Sequence, residues 1–230
     1  MSQSRLFVDI GNSAVKWRSQ DSEVFTKSVD QFSSKLLPKA DSVWLSAVAH
    51  LNIVEEIKAG FTSVNLVKSS KLYGKLNLSY DDPSKFGIDR FLAMLAGIEH
   101  FPEKPLLVID AGSAVTFDVI DNLGMHQGGL IMPGIKALRE SFIKFSTNDL
   151  SLKNSELKNS TKEAWQSGTH AMLVSAINSQ IQNFELQYPD GVVTICGGIV
   201  KEILIELPKS VKFFDNLVLD GLESYSQSMG

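Results

Sequence analysis

Apolar positions along this chain come in short runs that stop at the same polar signal. Leu6, Phe7 and Val8 run into Asp9-Ile10-Gly11-Asn12, and Ala14 to Arg18 then resumes a strand-like alternation. Residues 106–109 (Leu-Leu-Val-Ile) run into Asp110-Ala111-Gly112-Ser113 before a second alternating stretch, Ala-Val-Thr-Phe-Asp-Val-Ile-Asp. Each pattern predicts a buried strand, a tight polar turn and a second strand. Laid over one another, LFVDIGNSAV and LVIDAGSAVT match Asp on Asp and Gly on Gly. We read this as an internal duplication, hence two related domains spanning 1–104 and 105–230.

Between the two units, residues 41–48 and 62–69 read as buried strands flanking a helix within 48–61, a β-α-β pattern. From Asp89 to Phe101 apolar residues occur almost all round, so this helix is expected to be buried on more than one face. In the second half, Asp121-Asn122-Leu123-Gly124 is a hairpin turn signal. Residues 128–135 (GGLIMPGI) read as a glycine-bounded loop leading into a helix over 135–145, and the polar stretch 147–160 as an exposed loop. A long helix over 161–185, a strand over 191–198 ending in paired glycines, a helix over 200–207 and a last strand and loop over 213–222 follow. Strands first and helices after, twice over, predict the α/β class.

With 230 residues, 43% of them hydrophobic, the chain can bury a sizeable core. Its 22 basic residues against 26 acidic ones are scattered, which argues against a nucleic-acid footprint. Cys196 is the only cysteine, so neither an intramolecular disulfide nor a cysteine zinc cluster can form. The start, MSQSRLFVDIGNS, does not read as a secretory leader, and no apolar run approaches the roughly 20 residues that cross a bilayer. A cytoplasmic protein without membrane partners is the expectation.

The chemistry concentrates at the turns. An Asp-x-Gly turn closing a buried strand lets a phosphate approach backbone amides, because glycine removes the obstructing side chain. The acid itself can reach phosphate only through a cation such as Mg²⁺. Asn12, Ser13 and Ser113 add donors, and Lys16 offers a point charge on the outgoing strand. The plain alternatives are an ordinary hairpin turn and a solvated lysine. Two such turns in register favour a clamp on one triphosphate. Gly128-Gly129 and Pro133-Gly134 permit close backbone approach before a helix, and Gly197-Gly198 offers bare backbone to a base or ribose. Tight packing would explain these glycines equally well. Finally, Tyr80, Asp81, Asp82 and Lys85 lead into Gly87-Ile88-Asp89-Arg90 at the start of the apolar helix. Asp89 suits either a helix cap or a base that accepts a substrate hydroxyl proton, and Arg90 can hold an anionic group.

Taken together, six motifs resemble the type III pantothenate kinases of the actin-like superfamily of phosphoryl-transfer folds. They are DIGNSAVKWR at 9–18, GIDR at 87–90, DAGSAVTFDVI at 110–120, GGLIMPGI at 128–135, NSTKEAWQSG at 159–168 and CGG at 196–198. The resemblance implies two duplicated actin-like (ribonuclease H-like) domains with a nucleotide cleft between them. It also implies ATP-dependent phosphorylation of the primary hydroxyl of pantothenate, the first step of coenzyme A synthesis, by a homodimer using Mg²⁺ and a monovalent cation, K⁺ or NH₄⁺. Carried over, Asp9, Ile10, Gly11, Asn12, Ser13, Ala14, Val15 and Lys16 form the ATP phosphate loop, with Asp9 near Mg²⁺. Asp89 is the proton acceptor. Tyr80, Gly87, Ile88, Asp89, Arg90 and Thr161 contact pantothenate, Thr161 from the neighbouring subunit. Asp110 binds the monovalent cation and Ser113 is the second ATP contact. Position 113 is Ser where the family usually carries Thr, which keeps the hydroxyl but loosens its rotamer. The short connections trim peripheral elements. Two other readings remain at this stage: a kinase for another small hydroxyl substrate such as a sugar, and a non-catalytic regulatory accessory factor of the same family.

Overall fold

A computed structural model describes residues 4–20, 22–145, 149–151 and 155–229. Residues 1–3 of the expected leaderless start, and 147, 148 and 152–154 of the expected exposed loop, lie outside them. The described residues divide into two units. One takes the chain up to Pro102, then Gly124–His126 and the stretch from Asn216 onward; the other takes Glu103–Leu123 and Gln127–Asp215.

In the first unit, β1 (Arg5–Ile10), β2 (Ala14–Ser19), β3 (Phe25–Ser28), β4 (Ser42–Ala47) and β5 (Val64–Leu66) form one sheet ordered β3-β2-β1-β4-β5. The β1–β2 and β2–β3 pairs are antiparallel, whereas β4 runs parallel to both β1 and β5. Leu6, Phe7 and Val8 are all fully buried because β1 is central and covered on both faces, which is why its sequence is apolar without alternation. One face meets α1 (Leu51–Gly60): Leu6, Val8, Ile10, Val43 and Leu45 share a core with Ile53, Val54 and Ile57. The other face meets α6 (Leu217–Ser228), whose Tyr225 ring lies 6.3 Å from that of Trp44. Strand alternation therefore sends Asp9 and Ser46 out on the α6 side, since Asp9 follows Val8 and Ser46 follows Leu45. Arg18 ties β2 to α6 through Asp220 (2.8 Å) and Glu223 (2.7 Å).

The helix α2 (Ile88–His100) packs on α6, and Ile88, Arg90, Phe91, Leu92, Ala93, Met94, Ala96 and Gly97 are buried, as its all-round apolar pattern requires. Gly221 of α6 lies directly against the Leu92 main chain, so the two helices touch backbone to backbone. A two-stranded hairpin, β6 (Leu72–Tyr73) and β7 (Leu76–Asn77), had no counterpart in the sequence reading.

The second unit repeats the plan. Here β8 (Leu106–Ala111), β9 (Ala114–Ile120), β10 (His126–Pro133), β11 (Val192–Cys196) and β12 (Lys212–Phe213) are ordered β10-β9-β8-β11-β12. Again the first pair is antiparallel, and β11 is parallel to β8 and to β12. Its core draws Leu173, Val174, Ile177, Ile181 and Phe184 from the long helix α4 (Thr161–Gln187).

Several expectations need correction. Residues 128–133 are not a loop but part of the edge strand β10, because a hairpin turn at 121–124 returns the chain beside β9. The helix expected over 135–145 stops at Glu140 (α3, Ile135–Glu140) and is followed by a separate 3-10 turn, Ile143–Phe145. Likewise α5 covers only Val200–Ile203 before a 3-10 turn, Leu204–Glu206. The expected final strand and loop is mostly the helix α6; a run such as Leu217-Val218-Leu219 is too short for periodicity to tell strand from helix. The linear division at 104/105 does not include the return of α6 to the first unit. Residues 149–151 of the polar loop are anchored: buried Arg139 donates to Asp149 O (2.6 Å), Ser151 O (2.9 Å) and Thr169 Oγ1 (3.2 Å). Burial holds the Arg139 pKa below its ordinary value, opposed by Asp149 and Glu202.

Gly221→Ala places a methyl group inside the Leu92 main chain and forces α2 and α6 apart. The expected cost is about 1–3 kcal/mol, a fall in Tm of roughly 2–10 °C by calorimetry. An unchanged Tm contradicts the close approach.

Candidate active site

The two acid-glycine turns have the same construction. In the first, Asp9 pairs with Lys16 and Ile10 with Val15 across β1 and β2, and the Gly11 amide donates to Ala14 O at 3.0 Å. In the second, Asp110 pairs with Thr116 and Ala111 with Val115, and the Gly112 amide donates to Ala114 O at 3.0 Å. The second loop is one residue shorter, so Ser113 alone stands where Asn12 and Ser13 stand in the first. All three are solvent-exposed, whereas Asp9 and Asp110 are half-buried on their strands.

Each loop is braced from behind. His50 Nε2 donates to Asn12 O at 3.0 Å, and the Val48 amide donates to Ile10 O at 3.2 Å. His50 holds a left-handed backbone (φ 56°), a conformation His tolerates better than most side chains and one concentrated at functional sites. In the second unit, Gly134 packs on the Gly112 and Ser113 carbonyl oxygens and its amide donates to Ser113 O at 3.2 Å. Gly197 (φ 117°) abuts the Ala111 main chain, so tight packing accounts for it. Gly198 has open space where a side chain would be and stays available to a ligand.

Asp89 does not cap its helix. Gly87 occupies that position, with extended ψ (128°), and the first helical bond runs from the Phe91 amide to Gly87 O at 3.1 Å. Asp89 lies in the first turn, where its Oδ1 accepts from the Arg90 amide at 2.8 Å and sits 2.6 Å from where a Gly87 Cβ would be. The carboxylate is thus folded back across bare glycine, in the favourable field of a helix N-terminus. Arg90 is buried, with its guanidinium carbon 4.3 Å from the Phe86 ring centre. Phe86 meets Tyr80 edge-on at 4.9 Å, and the His126 ring stacks on Tyr80 at 6.3 Å and stands edge-on to Phe86 at 5.3 Å. Ser79 Oγ is 3.1 Å from His126 Nδ1.

A cavity of about 490 Å³ opens beyond the carboxyl ends of β4 and β5, where ligands of parallel α/β sheets characteristically bind. Ala47, Val48, Leu51, Leu66, Val67 and Phe86 supply apolar wall, and Gly87 and Ile88 bring the start of α2 to it. Lys68, Ser69, Ser84 and Lys85 supply the polar wall. Tyr80, Asp89 and Arg90 are outside the wall proper and adjoin it through Phe86 and Gly87. Asp9, at the end of β1 on the face covered by α6, and Asp89, at the start of α2, therefore belong to the same unit. Asp110, Ser113 and Thr161 belong to the other. Thr161 is exposed at the first position of α4, next to a capping box in which Ser160 Oγ accepts from the Glu163 amide at 3.3 Å and donates to Glu163 Oε2 at 3.0 Å.

Three residues were missed. His50 and His126 lie far in sequence from the loop and stack they brace, and no motif marks them. Lys68 carries a weak signal, a cation near the end of the apolar stretch 62–69.

The sequence profile of the type III pantothenate kinase family matches residues 5–183. A type III pantothenate kinase of Hahella chejuensis is 30% identical over 234 residues, covering 94% of each chain. The corresponding protein of Alcanivorax borkumensis is 28% identical over 239 residues, covering 95% of this chain and 96% of that one. Among solved structures, a conserved putative Baf family transcriptional activator from Campylobacter jejuni superimposes with a TM-score of 0.65 at 21% identity, covering 97% of this chain and 98% of that one. A glucokinase from an Antarctic psychrotroph gives 0.52 at 12% identity, covering 99% and 100%. At these identities the structures speak for the fold alone, an actin-like pair of related α/β units.

Gly87→Ala tests the carboxylate's placement. The backbone angles suit alanine, but its methyl group displaces Asp89 Oδ1. Kinase kcat is expected to fall about 10- to 100-fold while Tm changes by less than about 4 °C. Parental kcat would show that the carboxylate's position is immaterial.

Proposed function

The chain belongs to the type III pantothenate kinase family, and from that premise we propose that Asp89 is the base of a pantothenate kinase reaction run by this chain. The pantothenate primary hydroxyl oxygen bonds to the γ-phosphorus of ATP, the bond from that phosphorus to the ADP oxygen breaks, and the hydroxyl proton passes to Asp89. The product is 4'-phosphopantothenate, which enters coenzyme A synthesis. The observation that carries this reading is the Asp89 carboxylate lying over Gly87 beside a largely apolar cavity.

Phosphoryl transfer asks a protein for alignment and charge compensation more than for covalent chemistry. The Gly11 to Ser13 backbone and Lys16 offer phosphate oxygens amide donors and a positive charge in the first unit, and Ser113 is the corresponding donor on the second unit's loop. Tyr80, Gly87, Ile88 and Arg90 orient the acceptor, and the exposed Thr161 reaches it from the partner subunit of a homodimer. The largely apolar wall suits the dimethyl body of pantothenate and offers few partners to the vicinal hydroxyls of a sugar.

The donor sets fit both cations. Among the described residues no three His, Cys, Asp or Glu side chains cluster as a metal cage, and Mg²⁺ on a nucleotide needs only one or two carboxylates plus water and phosphate. Asp9 would hold it, beside the buried Ser46 hydroxyl on the adjoining strand, whose oxygen has no partner among the described residues. A monovalent cation takes oxygen ligands, and Asp110 places a carboxylate oxygen over Gly112, 3.5 Å from where a Cβ would be. Bound, each ion would offset part of the phosphate charge beside its own loop.

A coupled ADP-release assay is expected to show turnover with pantothenate and none above background with a panel of sugars; the reverse pattern would reassign the acceptor. In the same assay Asp110→Ala is expected to lose activation by K⁺. A retained response to K⁺ would move the cation site elsewhere.

A further inference from the structure

The cavity beside Gly87 has an asymmetric charge. Lys68 and Lys85 line it, and no acidic side chain does. The lysines differ. Lys85 Nζ is 3.9 Å from Asp82 Oδ2, a loose ion pair within one turn. Lys68 is exposed and has no hydrogen-bond or ion-pair partner among the described residues, while its neighbours hold their own: the Val67 amide donates to Leu45 O (2.9 Å) and Ser69 Oγ to Phe86 O (2.9 Å). The backbone on both sides of Lys68 is therefore fixed, and its ammonium is the uncommitted charge of the cavity. A lysine left without an acid at the rim of an apolar pocket is an anion receptor with a flexible reach.

Resting on the pantothenate kinase reading, we propose that Lys68 determines acceptor specificity by pairing with the carboxylate at the far end of the substrate, while the apolar wall takes the substrate's body. Lys68 touches neither the reacting hydroxyl nor the nucleotide. Its contribution falls on capture of the acid rather than on the chemical step, and so on KM rather than kcat. Lys85, already held by Asp82, contributes less.

The test compares kcat/KM for pantothenate with that for its neutral alcohol analogue, pantothenol, in the wild-type protein, Lys68→Met and Lys85→Met. Methionine keeps the apolar stem and removes the charge. The wild-type preference for the acid is expected to shrink about tenfold in Lys68→Met, through KM for pantothenate, with kcat within about twofold and the pantothenol parameters unchanged, the usual scale of one charge-assisted contact. Lys85→Met is expected to retain most of the preference. An unchanged ratio in Lys68→Met, an equal loss on both substrates, or a collapse confined to Lys85→Met would overturn the assignment. Wild-type protein that turns over neither acceptor would overturn the pantothenate reading itself and this assignment with it. Turnover with an unaltered ratio would remove the lysine's role alone.

Discussion

A carboxylate can lie across the first turn of a helix only where nothing stands beneath it. At the start of α2 that space exists because residue 87 is glycine: Asp89 Oδ1 occupies a position a side chain at 87 would contest. The glycine's backbone angles are open to any residue, so its identity is explained by the neighbouring carboxylate rather than by conformational need. Around this contact the remaining pieces fall into order. Arg90 is buried against Phe86, Phe86 and His126 bracket Tyr80, and the cavity runs from Gly87 to the ends of β4 and β5. One small residue thus sets the direction of the acid and leaves open the space it adjoins.

The helix bearing that acid is held by its own unit. α2 rests on α6 at a contact so close that Gly221 meets the Leu92 main chain, and Arg18 fixes α6 to β2, the strand that leaves the first Asp-x-Gly loop. The first Asp-x-Gly loop and the acid are thereby referred to one frame, the five-stranded sheet of the first unit. Phosphoryl transfer gains most from such alignment, since an error near 1 Å can cost about a hundredfold in rate. The duplicated sheet of the second unit carries its own loop at the equivalent strand end, braced by Gly134 in place of the His50 and Val48 contacts of the first.

Much of this was legible in the chain because it is local. Continuous apolar strands broken by Asp-x-Gly announced both sheets and both turns, and the apolar residues between Asp89 and Phe101 announced a helix buried on more than one face. What was hidden depends on distant contacts. β10 looked like a loop because its glycines and exposed Leu130 and Ile131 carry no strand alternation; only its place at the sheet edge makes it a strand. α6 looked like a strand because three apolar residues in a row have no period. Asp89 suited a cap because acids favour that position, yet the helix begins two residues earlier than a cap at Asp89 would require. His126 reaches Tyr80 and Phe86 from some forty residues on, and the cavity assembles from three separated segments. No window of sequence contains either.

Replacing Asp89 by Asn tests the central claim most directly. The amide keeps the shape and the acceptor oxygen for the Arg90 amide but cannot take up a proton at working pH. With pantothenate and ATP, kcat is expected to fall by at least about a hundredfold, with KM for pantothenate within a few fold and an unchanged circular dichroism spectrum. Turnover near the parental rate in that variant would contradict a proton-accepting role for Asp89.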